Sequence, residues 1–71
     1  MEFYQQAVVL ADELGMRPLA GRCRYGLGRL YRETGRRAEA RSALGAGAGI
    51  FRALGMRSWL KRAEEELASL A

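Results

Sequence analysis

The sequence predicts an all-α fold in which four antiparallel helices stack as helical hairpins. Apolar residues recur at spacings of three and four in four segments separated by glycine-centred links, and no segment alternates as a strand does. The tetrapeptide Leu-Gly-Met-Arg stands at 14–17 and again at 54–57, a period of 40 that is typical of helical repeat arrays. We therefore expect one domain over 1–71, with helices at about 2–14, 18–34, 37–54 and 58–70.

The first two predicted helices each have an apolar stripe and a glycine at the end. In the first, Phe3, Leu10 and Leu14 belong to a broad stripe, and Gly15 suits a left-handed helix cap. The second begins near Pro18, which fits the first turn of a helix, and stops at Gly35. Its stripe consists of Leu19, Cys23, Leu27, Leu30 and Tyr31.

The third predicted helix contains Gly45, Gly47 and Gly49, each of which costs about 0.8–1 kcal/mol relative to Ala. We expect a continuous helix, because the apolar stripe from Ala40 to Leu54 keeps its phase; a kinked helix is the alternative. In the fourth helix, Ser58 is the expected N-cap and Trp59 is expected in the core. The run at 64–66, three Glu residues, is expected on a solvated face.

Composition narrows the possible chemistry. The chain has no His and a single Cys, Cys23, which excludes Ser-His-Asp and Cys-His catalysis and an intrachain disulfide. We therefore expect no enzyme activity, no metal and no cofactor. No apolar run could cross a bilayer and no signal peptide is evident, so we expect a cytoplasmic protein. The net charge of +4 fits either an acidic partner or an ordinary solvated surface.

A shift of 40 residues aligns the first predicted helix with the third and the second with the fourth. The first helix then corresponds to the second member of a hairpin, and part of its apolar surface lacks a cover. Because a thin core with an uncovered end favours association, we expect a homodimer. The expected contact residues are Phe3, Tyr4, Ala7, Val8 and Ala11.

The middle of the chain resembles a tetratricopeptide repeat (TPR). The residues that carry the resemblance, at the family's spacing, are Leu27-Gly28, Tyr31, Gly35, Ala40, Leu44 and Gly47. Arg24 stands where the family usually has a large aromatic residue, and Arg52 where it often has Pro. The segments 13–19, 26–31 and 59–64 are similar to the C-terminal repeat region of large bacterial signalling ATPases and transcription activators, whose upstream catalytic domains have no counterpart here.

The resemblance implies a groove that binds a peptide or helix of another protein. By register, the groove residues would be Arg22, Tyr25, Arg29, Arg32, Glu33, Arg62 and Glu65. This set suits an acidic protein segment. The Asn and Lys residues that clamp a peptide carboxylate in some family members are missing, so we do not expect capture of a C-terminus. A solvated helix face, nucleic-acid binding through the Arg residues, and a purely structural or engineered bundle remain alternatives.

Overall fold

The structure is a computed structural model that describes residues 2–70. It contains α1 (Glu2–Glu13), α2 (Arg17–Glu33), α3 (Arg37–Leu54) and α4 (Arg57–Ser69), and no strand occurs between residues 2 and 70. The all-α prediction is confirmed, and the predicted bounds differ from these by at most one residue. Helix α3 runs without interruption through its three glycines, as the phase of the apolar stripe indicates.

The same turn joins each successive pair of helices. Gly15, Gly35 and Gly55 adopt left-handed φ angles of 68°, 79° and 70°. After each glycine, a backbone N–H closes the turn onto a carbonyl five residues earlier: Met16 onto Ala11 at 2.9 Å, and Met56 onto Phe51 at 2.9 Å. The two Leu-Gly-Met-Arg copies are thus the same structural joint.

The predicted cap at Ser58 is wrong. The residue that precedes α4 is Met56, which makes no side-chain cap, and Ser58 lies inside the first helical turn. The turn itself begins the helix, because the Met56 carbonyl accepts the N–H of Leu60 at 2.9 Å and Met16 does the same for Ala20 at 2.8 Å. Pro18 lies in the first turn of α2, as expected.

Close packing of α2 on α3 forms the centre of the fold. Leu44 and Phe51 of α3 are fully buried, at 0% exposure. Both lie over glycines of α2: a Cβ at Gly28 would fall 2.5 Å from Leu44 Cγ, and one at Gly21 would fall 2.7 Å from Phe51 Cε1. Missing side chains therefore let large residues fill the space between the two backbones. Leu27, Tyr31, Ala40 and Gly47 are also buried here.

Helix α1 packs against α2 alone among the described helices, whereas α4 packs on α3 and touches α2. Asp12 of α1 accepts two hydrogen bonds from Arg24 of α2, at 2.7 and 3.1 Å. The equivalent positions 40 residues later hold Arg52 and Glu64, whose charged groups lie 3.6 Å apart. Each α1–α2 and α3–α4 joint thus carries an ion pair at the same place, with the charges exchanged.

The four helices differ from membrane spans in composition. Within residues 2–70, no helix combines the length and the apolar content that crossing a bilayer requires.

Candidate functional site

A concave groove of about 660 Å³ lies along α2 and α4, with Tyr4 of α1 at one edge. Four of the seven predicted groove residues line it, namely Arg22, Tyr25, Arg29 and Arg62. Its other lining residues are Leu19, Cys23, Gly26, Trp59 and Glu66. All three cationic side chains that line the groove belong to the predicted set, because α2 and α4 present equivalent faces to the same side.

Trp59 forms the centre of the groove. The guanidinium of Arg22 lies 4.9 Å from the Trp59 ring centroid and that of Arg62 lies 4.8 Å from it. Tyr25 packs edge-on against the indole at 5.6 Å, and Phe51 supports it from the core at 5.8 Å. Trp59 packs on the core as predicted, but its ring is only half-buried and also lines the groove.

Arg22 and Arg62 retain their hydrogen-bonding capacity. No carboxylate within residues 2–70 pairs with either guanidinium; each lies over the indole instead. A guanidinium stacked on a ring still presents its N–H groups at its edge, where a carboxylate can accept them. The arrangement thus holds two cationic donors beside an aromatic surface.

Glu66 lines the groove, where the sequence predicts Glu65. The Glu66 side chain is only 15% exposed, and its carboxylate lies 3.3 Å from Arg29 Nε and 2.5 Å from Arg32 Nη1. Glu65 is exposed and does not line the groove, and the prediction of a solvated face is wrong for Glu66. The physical reason is helical rotation, since Glu66 lies 100° from Glu65 and turns toward α2.

The remaining predicted groove residues lie beside the groove rather than in it. Arg32 is occupied by Glu66 and also donates to Ser69 Oγ at 3.0 Å. Glu33 lies in a smaller adjoining depression together with Tyr4 and Arg29. Cys23 is buried, as expected for a small apolar residue, and forms part of the groove floor.

Sequence reasoning missed Trp59 and Leu19 as groove residues, although a signal was present. The 40-residue shift aligns Leu19 with Trp59, and both line the groove at equivalent points of α2 and α4. The assignment of Trp59 to an apolar stripe identified its inner contacts only.

The residues predicted to mediate self-association divide into two groups. Ala11 is 1% exposed within the single chain, so its inclusion is wrong: it packs into the α1–α2 contact and offers no surface. Tyr4, Ala7 and Val8 are half-buried, and Phe3 alone of the five is exposed. The large apolar residues that α1 does expose are Phe3, Val9 and Leu10, and Leu14 directly after the helix is exposed as well.

Within residues 2–70, no three Cys, Asp or Glu side chains gather where a metal ion could bind. No protein-family model matches the chain, and no curated protein or solved structure is significantly similar to it.

Proposed function

We propose that this chain is a non-catalytic protein-interaction module of the tetratricopeptide type, and that its α2–α4 groove binds an acidic segment of another protein. One observation carries the proposal: two guanidiniums, those of Arg22 and Arg62, lie 4.9 and 4.8 Å from the Trp59 ring centroid and pair with no carboxylate within residues 2–70. Such a surface matches a segment that alternates carboxylates with apolar side chains.

The groove supplies both parts of that recognition. Its aromatic and apolar wall, formed by Tyr25, Trp59 and Leu19, can bury an apolar side chain of the ligand. Its guanidinium edges can form charge-assisted hydrogen bonds with the flanking carboxylates. Arg29 is already engaged by Glu66, so we assign the anion contacts to Arg22 and Arg62.

A binding titration tests the proposal. A fluorescein-labelled acidic peptide that alternates Glu with Leu is titrated with the intact chain, and anisotropy reports binding. We expect the double variant Arg22→Glu/Arg62→Glu to weaken binding by at least about tenfold, as loss of two charge-assisted contacts requires. The matched control is Arg41→Glu/Arg57→Glu, which changes net charge equally at two exposed positions outside the groove. Equal weakening by both variants would show that only overall charge matters and would contradict the proposal.

Nucleic-acid binding is the second candidate, and the eleven Arg residues motivate it. The same titration with a labelled DNA duplex separates the two. Binding through phosphates falls by orders of magnitude between about 50 and 200 mM salt. Tighter binding of duplex than of acidic peptide at about 150 mM salt, with that steep dependence, would replace the proposed function.

A further inference from the structure

The outer face of α1 is a second surface, separate from the groove. Phe3 and Leu10 lie on one side of α1 and Leu14 directly follows the helix; they are 75%, 56% and 63% exposed. Beside them, Glu2, Val9 and Glu13 form a shallow depression with Leu10. The three acidic residues of α1 are Glu2, Asp12 and Glu13, and the helix has no Lys or Arg. Since Arg24 pairs with Asp12, the carboxylates of Glu2 and Glu13 remain beside the apolar face.

The internal repeat shows what kind of element covers such a face. Phe3, Ala7 and Leu10 stand 40 positions before Ala43, Gly47 and Ile50 of α3. That side of α3 lies against α2: a Cβ at Gly47 would be 3.2 Å from the Gly21 carbonyl oxygen, and one at Gly21 would be 3.1 Å from Ile50 Cγ2. On α1, the equivalent residues Phe3 and Leu10 are exposed, and no second helix within residues 2–70 covers them.

Helix α2 fills this place on α3 and presents glycines at the contact, Gly21 and Gly28. The two faces differ in charge, because α3 carries three Arg residues and one Glu, whereas α1 carries three acidic residues and no Lys or Arg. A helix that covers α1 as α2 covers α3 would therefore need basic flanks to complement Glu2 and Glu13, together with small residues at the contact.

We propose that the outer face of α1 docks a basic amphipathic helix, which lies antiparallel to α1 and presents small and apolar residues to Phe3, Leu10 and Leu14. This inference does not depend on the proposed function of the groove. It also differs from the homodimer expected from the sequence. Two α1 helices packed on each other would bring Glu2 and Glu13 of both copies together with no Lys or Arg on either helix, and like charges in contact oppose association.

Helix α4 of a second copy fits the place poorly. In the 40-residue alignment Lys61 replaces Gly21, and Glu64 replaces Arg24. A long side chain therefore stands where the close α2–α3 contact requires none, and a carboxylate stands where the acidic helix favours a cation.

The test uses a labelled synthetic helix with Leu and Ala on one face and Lys on its flanks, together with a version in which Glu replaces each Lys. We expect the basic version to bind and the acidic version to bind at least about tenfold more weakly. Leu10→Asp should weaken the basic version by at least about tenfold, since it places a charge in the contact. Leu10 is largely exposed, so the variant should fold, which circular dichroism checks.

A charge-matched pair of variants and a groove variant complete the design. Glu13→Lys should weaken binding severalfold, whereas Glu65→Lys, at an exposed position of α4, should leave it unchanged. Arg22→Glu/Arg62→Glu should bind the basic helix as the unmodified chain does, which separates this result from the groove. Equal binding of the acidic version, or no effect of Leu10→Asp, would overturn the proposal. A monomer–dimer equilibrium in sedimentation that Leu10→Asp abolishes would also overturn it, because the occupant would then be a second copy.

Discussion

The α2–α3 contact and the α1–α2 contact join neighbouring helices in different ways. Between α2 and α3, glycines of α2 allow the fully buried Leu44 and Phe51 to fill the space between the backbones. Between α1 and α2, a small buried residue, Ala11, is accompanied by polar links at the edge: Asp12 to Arg24, and Gln5 to the Tyr31 hydroxyl at 3.0 Å. The α1–α2 contact also places a ring, that of the half-buried Tyr4, against a glycine, Gly26, so the two contacts differ mainly in the burial of the large side chain and in these side-chain hydrogen bonds.

The largest expected difference in stability is between the alanine variants of two phenylalanines, Phe51 and Phe3. Phe51→Ala should destabilise the fold by about 3–5 kcal/mol, because it empties a fully buried site. Phe3→Ala should change the free energy of unfolding by about 0.5 kcal/mol or less, since Phe3 is 75% exposed. Urea denaturation followed by circular dichroism measures both. Similar losses for the two variants would show that α1 is as tightly integrated as α3.

The glycine contact of α2 gives the next largest effect. Gly28→Ala should destabilise by about 1–3 kcal/mol, since the new Cβ would overlap Leu44 Cγ and approach the Leu44 backbone nitrogen to 3.2 Å. The comparison is Gly26→Ala, whose Cβ meets the ring of Tyr4, a half-buried side chain on α1 that can turn aside. In thermal unfolding, the Gly28→Ala variant should therefore have a lower midpoint temperature than the Gly26→Ala variant. The opposite order would show that α1, and not α3, constrains α2.

Substitution of Gly45 should have a smaller effect on stability and should stabilise the fold. A Cβ added at Gly45 meets no atom within 4 Å, so Gly45→Ala should stabilise α3 by up to about 1 kcal/mol through helix propensity alone. Denaturant unfolding checks the gain. Destabilisation instead would indicate that this exposed face of α3 makes contacts that the single chain does not contain.

The edge ion pairs should give the smallest effects. The hydrogen bonds from Arg24 hold the pKa of Asp12 below its ordinary value. The Asp12–Arg24 pair therefore stabilises the folded state at pH values above the pKa that Asp12 has in the unfolded chain. This stabilisation is lost as the pH falls through the lower pKa that Asp12 has in the folded chain. We therefore expect amide hydrogens of α1 to lose protection from exchange as the pH falls, and Asp12→Asn should abolish this loss. If the variant loses protection at the same pH, a group other than Asp12 causes the loss.

Exchange of the charges at positions 12 and 24 tests whether the Asp12–Arg24 pair acts as a unit. Because Arg52 and Glu64 occupy the equivalent α3–α4 positions with opposite polarity, Asp12→Arg/Arg24→Glu should restore the α1 protection that each single change reduces. Amide hydrogen exchange again measures the outcome. Additive loss in the double variant would show that the pair does not act as a unit.

Sequence patterning determined most of the fold. Apolar spacing and the glycine links predicted four helices to within one residue, because a helix and its left-handed cap depend on neighbouring residues. The 40-residue shift aligned α1 with α3 and α2 with α4, and the structure gives both pairs the same glycine turn. These are local properties or regular repetitions of them.

Only the tertiary structure decided how side chains are shared between surfaces. It turns Glu66 rather than Glu65 into the groove, places Trp59 between the core and two guanidiniums, and buries Ala11 while it leaves Leu10 exposed. A helical stripe specifies a face to within about one residue, or 100° of rotation. The angle between two packed helices then decides which edge of that face meets its neighbour, and this angle depends on residues far apart in the chain.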